Sequence, residues 1–130
     1  MKSKVLPDFI NAINRADVDK MVDLMADDHT FIDSQDNKCT GIDNLKQAWI
    51  EYFTLFPDYN IELTGILKKK TLFYMVGYAG GTYKNLKNEN NSNYWRIPAA
   101  WSAIIKNNKI QSWQVFADNS VVLVIVNRNK

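Results

Sequence analysis

Residues 94–117 read YWRIPAAWSAIIKNNKIQSWQVFA, and the alternation within them decides the fold. Trp95, Ile97, Ala99, Trp101, Ala103 and Ile105 share one parity, and every member of it is apolar; Arg96, Pro98, Ala100, Ser102 and Ile104 share the other. A period of two is that of a β-strand, whose successive side chains point to opposite faces of a sheet. The apolar parity therefore faces helices or a pocket. Lys106-Asn107-Asn108-Lys109 is a tight hairpin signal. Beyond it Trp113, Val115 and Ala117 repeat the apolar parity in a second strand, read over 109–117.

Working outward toward the N-terminus, two further strand-like stretches cover roughly 59–67 and 71–84, with Lys68-Lys69-Lys70 at a solvated turn and a polar loop from Lys87 to Asn93. The first 57 residues read differently. Val5, Phe9, Ile10 and Ile13 recur at helical spacing, with Pro7 tolerable in a first turn. Asp17 is placed to cap a second helix whose apolar face is Val18, Met21, Val22, Leu24 and Met25, closed by Asp27-Asp28. Phe31 and Ile32 form a short strand, and Ser34 to Cys39 is polar and turn-like. Gly41-Ile42-Asp43 opens a third helix bearing an aromatic stripe (Trp49, Tyr52, Phe53 and Phe56), and Pro57 ends it. Helices first and hairpins after make an α+β fold with helices packed on one face of the sheet.

The 130 residues are one domain by length, residues 1–130. With 46% hydrophobic and 23% charged residues and a formal net charge of +2, the composition is that of a globular protein and supplies no basic patch for nucleic acid. The opening Met-Lys-Ser-Lys has no apolar signal core, and no run is long enough to span a membrane, so the expected compartment is the cytoplasm. Cys39 is the only cysteine and His29 the only histidine. Together they cannot furnish a zinc site, and no metal or other cofactor is expected. His29 is read as a partly exposed residue at a helix-to-strand junction.

Two further patterns bear on function. Trp49, Phe53, Trp95, Trp101 and Trp113 fall on inward faces, while Gly77, Ala79 and Gly81 alternate in the adjoining strand. Small residues opposite large flat ones leave room for a planar apolar ligand. Ser120 to Val126 is β-branched and apolar on both parities. Read as a strand it needs cover on both faces, which a second subunit would supply; the alternative is a lid over the pocket mouth.

Asn14-Arg15-Ala16-Asp17-Val18-Asp19, the run Leu24 to Asp33, Gly41-Ile42 and the ending Asn108 to Trp113 and Phe116-Ala117-Asp118 resemble the ketosteroid-isomerase and SnoaL-like polyketide-cyclase families of the nuclear-transport-factor-two-like superfamily. The resemblance covers nearly the whole chain. It implies a cone-shaped roll of three N-terminal helices on a curved, mixed, mostly antiparallel sheet, and homodimers formed through the outer sheet face. It implies Asp33 as a general base pointing into the cone. Asp33 shares the parity of Phe31, and an apolar cleft would raise its pKa. Asp118 corresponds to an acid/base aspartate near the end of the last strand, although simple alternation sets it opposite Trp113 and Val115. The isomerase's oxyanion donors are replaced by Phe9 and by Trp101 or Ala100, which argues against steroid isomerisation. Two readings stay open: cofactor-free proton transfer on an apolar carbonyl compound, and a non-catalytic ligand-binding or dimerisation module. The expected ligand contacts are Phe9, Trp49, Phe53, Trp95, Trp101 and Trp113.

Overall fold

The computed structural model describes residues 4–85 and 93–129; apart from Asn93, the polar loop read from Lys87 lies outside the described residues or at their margin. The elements run α1 (Val5–Asn14), α2 (Val18–Leu24), β1 (Met25–Ile32), β2 (Lys38–Thr40), α3 (Ile42–Leu55), β3 (Asn60–Lys69), β4 (Leu72–Thr82), a 3-10 turn (Tyr83–Asn85), β5 (Tyr94–Lys106), β6 (Lys109–Ala117) and α4 (Ser120–Arg128). The six strands form one curved, unclosed sheet in the order β2-β1-β6-β5-β4-β3. Among the described residues only β1 and β6 pair in parallel; every other neighbouring pair is antiparallel. This is an α+β cone: helices on the concave face, with the apolar parity of β5 buried beneath them.

The hairpin at 106–109 has the backbone its sequence asks for. Asn107 and Asn108 both sit at positive φ, 52° and 61°, the left-handed pair of a two-residue turn. Asp17 caps α2 by accepting the Lys20 N–H at 3.1 Å. Phe9, Ile13, Met21, Leu45, Trp101 and Trp113 make the centre of the core.

Three expectations need correcting. The second helix stops at Leu24, so Met25, Asp27 and Asp28 belong to β1 and do not close α2. Pairing of Met25 with Ile110 on β6 draws the chain into extended backbone there. His29 is fully buried, at 0% exposure. The β1–β6 ladder is irregular between Met25 and Thr30, and His29 fills the break: its Nδ1 lies 2.7 Å from the Ile110 carbonyl oxygen, donating in place of a backbone N–H. The segment 120–126 is helix, not strand. Val122 and Ile125, three apart, are its buried contacts, and packing of that one stripe overrides the β-propensity of a valine-rich run.

Glycine is obligatory at one position of β4. A Cβ on Gly77 would fall on the Glu62 carbonyl oxygen and lie 2.9 Å from Leu63 Cα, where β3 bulges between Leu63 and Gly65. Asn14, the last residue of α1, reaches β3 and grips the main chain of Ile61. Its Oδ1 accepts the Ile61 N–H at 2.7 Å and its Nδ2 donates to the Ile61 carbonyl at 3.1 Å.

Candidate functional site

Between the concave sheet face and α3 lies a cavity of about 380 Å³, inside the ~300–1,000 Å³ range of small-molecule sites. Each wall follows from an element already placed. The inward parity of β5 sets Trp95, Ile97 and Trp101 along the floor, and β6 adds Trp113, Val115 and Ala117. The α3 stripe brings Trp49 and Tyr52 over them, and Tyr59, just before β3, fills the angle between helix and sheet. The rings are stacked edge to face: Phe31 and Trp49 at 5.5 Å, Tyr52 and Tyr59 at 5.0 Å, Phe56 and Trp95 at 5.4 Å between centroids. The rim is polar. Asp33, Ser34 and Gln35 come from the β1–β2 turn and Asn119 from the N-cap of α4, with the apolar Leu123 of α4 beside it. Asn119 Nδ2 donates to Ser34 Oγ at 2.7 Å and so ties α4 to that turn.

The cavity wall holds donors without acceptors. The indole nitrogens of Trp95 and Trp101 are buried and neither has a hydrogen-bond partner. Burial raises the pKa of both Tyr52 and Tyr59, and each remains a neutral phenol at any working pH. Among the described residues no group of three or more His, Cys, Asp or Glu side chains could hold a metal ion.

Of the residues expected at the site, Asp33, Trp49, Trp95, Trp101 and Trp113 line the cavity. Phe9 and Phe53 lie elsewhere in the core. Phe9 is sealed between Trp113, at 5.1 Å, and His29, at 6.2 Å, and Phe53 stands behind Trp49 at 5.6 Å. Asp118 is exposed and its Oδ1 accepts the Ser120 N–H at 3.0 Å, which lowers its pKa and starts α4. The alternating Gly77, Ala79 and Gly81 contribute only Ala79 to the cavity; Gly77 makes way for backbone, and a Cβ on Gly81 would touch Phe56, Asp58 and Trp95. Tyr59 was not singled out from the sequence, although it shares the parity of buried Ile61.

Asp33 is half-buried and already engaged. Its Oδ1 accepts the backbone N–H groups of Gln35 and Asn37, each at 2.9 Å, and its Oδ2 accepts Asn37 Nδ2 at 3.0 Å. Desolvation, the largest single influence, raises its pKa, but the three hydrogen bonds from Asn37 and Gln35 together bring it below the ordinary value. An expected rise is thus reversed, because the turn that carries Asp33 folds onto its carboxylate.

A curved α+β cone enclosing an aromatic cavity with a polar rim is the architecture of the ketosteroid-isomerase-like and SnoaL-like proteins. The SnoaL-like domain model matches residues 7–113, and the chain belongs to that family. No curated protein matches it in sequence. Among solved structures it is similar to a protein of Catenulispora acidiphila with a ketosteroid isomerase-like fold, in complex with trimethylamine, at TM-score 0.81 and 16% identity over 98% of this chain and 95% of that one. It is similar to a candidate SnoaL-like polyketide cyclase from Shewanella putrefaciens, at TM-score 0.79 and 14% identity over 96% and 84%. A third, an LEH-like epoxide hydrolase of M. tuberculosis, aligns at TM-score 0.76 and 11% identity over 96% and 88%. At these identities the likeness is one of fold. No described helix is long and apolar enough to cross a membrane.

Proposed function

We propose that this protein binds a small, planar, largely apolar compound in the cone. The observation that carries the reading is the 380 Å³ aromatic cavity with a rim of Asp33, Ser34 and Asn119. Flat rings offer such a ligand stacking surface, and expulsion of water from apolar walls drives its entry. Ligand capture without turnover is the simpler reading, since the Asp33 carboxylate is committed to its own turn. Proton transfer by Asp33 is the second, favoured by its place on the cavity wall. The trimethylamine held by the Catenulispora protein supports small-molecule capture in this fold, though not that ligand for this chain. The expected compartment is the cytoplasm.

A thermal-shift and calorimetric screen of planar bicyclic compounds tests the reading. Binding that raises the melting temperature is the expected result; a panel of such compounds without one binder would end it. Asp33→Asn separates the two versions. Loss of the turn's charged acceptor costs about 1 kcal/mol of stability, and ligand affinity stays within a few-fold if Asp33 is a turn residue. Unchanged binding combined with abolished turnover of a bound carbonyl compound would instead establish the base.

We further propose a homodimer through the outer sheet face. Leu67 (75% exposed), Val76 (52%) and Phe116 (49%) lie on that face with Tyr74. The ladders align Leu67 with Tyr74 and Val76 with Ala100 and Phe116. A patch of this kind on a single chain marks an interaction surface. A two-fold axis through it would set the same patch against itself. The helix α4 is no longer needed for this interface, since its buried stripe packs on its own chain. Light scattering at micromolar concentration should give twice the chain mass, and Val76→Asp should halve it; a monomeric wild type rejects the dimer.

A further inference from the structure

Among the described residues that line the cavity, Asp33 alone carries a formal charge; no Lys, Arg or His is among them. The whole chain has 16 Lys and Arg against 14 Asp and Glu, so the charge in the cone is opposite in sign to that of the protein. The hydrogen bonds of the turn hold the Asp33 charge without cancelling it, and the lowered pKa keeps the group a carboxylate at neutral pH. The exposed Asp36 and Lys38 belong to the same connection but do not line the cavity. Phe31, two residues before Asp33, is on the cavity wall and stands 5.5 Å from Trp49. From Trp49 the aromatic wall continues to Tyr52 at 6.2 Å and 78°, to Tyr59 at 5.0 Å and 89°, and to Trp95 at 6.1 Å and 41°. Rings at such angles adjoin like the sides of a box; they are not one flat stack. The indole nitrogens of Trp95 and Trp101 are covered, so these side chains offer ring carbon to the cavity.

From this arrangement we infer that the cone selects a planar aromatic cation, a ring system carrying an alkylated and permanently charged nitrogen, with the ring among Trp49, Tyr52, Tyr59 and Trp95 and the charge drawn toward Asp33. The inference rests on the pocket reading above and narrows it from an apolar ligand to a cationic one. Aromatic faces carry negative potential and attract a cation within about 6 Å of the ring centroid, most strongly where water is excluded. A carboxylate at the mouth of a cleft with low-dielectric walls adds to that field. An anion meets both effects with the wrong sign, and no side chain on the wall neutralises it. A neutral ring fills the cavity but gains from neither. A metal ion or a bare ammonium gives up too much hydration to enter walls so poor in acceptors, and the described residues include no cluster of metal-ligating side chains. A charge spread over an alkylated ring costs less to desolvate and keeps the apolar surface that the walls favour. The Asp33 carboxylate thus has a second use besides its turn: it sets the sign of the ligand.

The test uses N-methylquinolinium and 4-methylquinoline, which share a planar bicyclic outline and differ in charge, titrated calorimetrically into the full chain at pH 7.5, where the second is neutral. The expected result is that wild type prefers the cation by about tenfold, a ratio within reach of desolvated cation–ring attraction. Asp33→Asn should bring the two affinities to within about twofold by weakening only the cation. Gln35→Lys should do the same while leaving the turn in place, because Gln35 is exposed and lends Asp33 only its backbone N–H. It sets a positive charge at the rim and removes no hydrogen bond of Asp33. Bound N-methylquinolinium should also show a charge-transfer absorption band with indole, retained in Gln35→Lys at saturation, which only ring-to-ring contact produces. Equal affinity of wild type for the two compounds, or a preference for the neutral one, overturns the inference and leaves the pocket reading intact. A cation preference that survives both substitutions, or a bound quinolinium without the band, also overturns it. If neither compound binds, this inference falls, and the wider panel of bicyclic compounds decides the pocket reading by itself.

Discussion

Gly77→Ala is expected to cost roughly 3–5 kcal/mol, a large fraction of the about 5–15 kcal/mol that holds a domain folded. The new methyl has no free volume: it would fall on the Glu62 carbonyl oxygen and sit 2.9 Å from Leu63 Cα. Both obstacles are main chain in the bulge of β3, and neither can rotate away as a side chain would. Relief requires β3 and β4 to part, which breaks ladder hydrogen bonds on either side of the Leu63–Gly77 pair. Gly65→Ala is the internal comparison. Its methyl would meet only Val76 Cγ2, at 3.3 Å, at the end of a rotatable exposed side chain, and about 1 kcal/mol or less is expected. Urea unfolding of the two variants measures the contrast. Similar stability for both would show that the bulge is not built as described.

The second large effect is acid-linked and belongs to His29. Burial pulls its pKa below the ordinary 6.5, against the smaller opposing influences of the Ile110 carbonyl and the Asp28 carboxylate. Nδ1 is committed to Ile110, and Nε2 is buried with no protein partner, so a proton arriving there finds no acceptor on the chain. The sign follows from linkage. Above about pH 6.5 the ring is neutral in both states and stability does not change with pH. Below it the unfolded chain takes up a proton that the folded chain resists, and stability falls by up to about 1.4 kcal/mol per pH unit until the lowered folded pKa is crossed. As this is the sole histidine, no other imidazole obscures the window. The lowered carboxyls of Asp33 and Asp118 act later, as pH falls below their ordinary 3.8. Denaturant unfolding at pH 7.5 and pH 5 should show the loss. His29→Phe should be weaker at pH 7.5 by about 1–3 kcal/mol, because Ile110 loses its donor, yet flat across the same interval. A wild type equally stable at both values would sink the assignment, as would a variant that keeps the slope.

How far the sequence could be read differs from element to element, for physical reasons. The strands of 94–117 are legible because their two parities differ in chemistry, and a period of two has one structural meaning. The cap at Asp17 and the turn at Asn107-Asn108 are legible because each is set by the backbone preference of a few adjacent residues. The segment 120–126 misleads because its β-branched composition is local, whereas its helical state depends on burying Val122 and Ile125 against the rest of the chain. His29 misleads for a similar reason: the gap it fills exists only once β1 and β6 are paired out of register. At the site, parity brings Trp95, Trp101 and Trp113 to one wall. It could not show that Asn37 and Gln35 would turn back to bind Asp33, nor that Gly77 was reserved for a neighbouring backbone rather than for a ligand.

The grip of Asn14 on Ile61 has a consequence beyond holding α1 to the sheet. With β2 at one margin, β3 is the sheet's other outermost strand, and its outward N–H and C=O groups are what a foreign strand would need in order to add itself to the sheet. At Ile61 both groups are already occupied by one side-chain amide, which behaves as a strand a single residue long. Farther along β3 the margin carries Lys68 and Lys69, whose charges repel an approaching copy. The β3 margin is thereby closed to further pairing: a residue from a helix terminates it at one end of β3, and like charge guards it at the other.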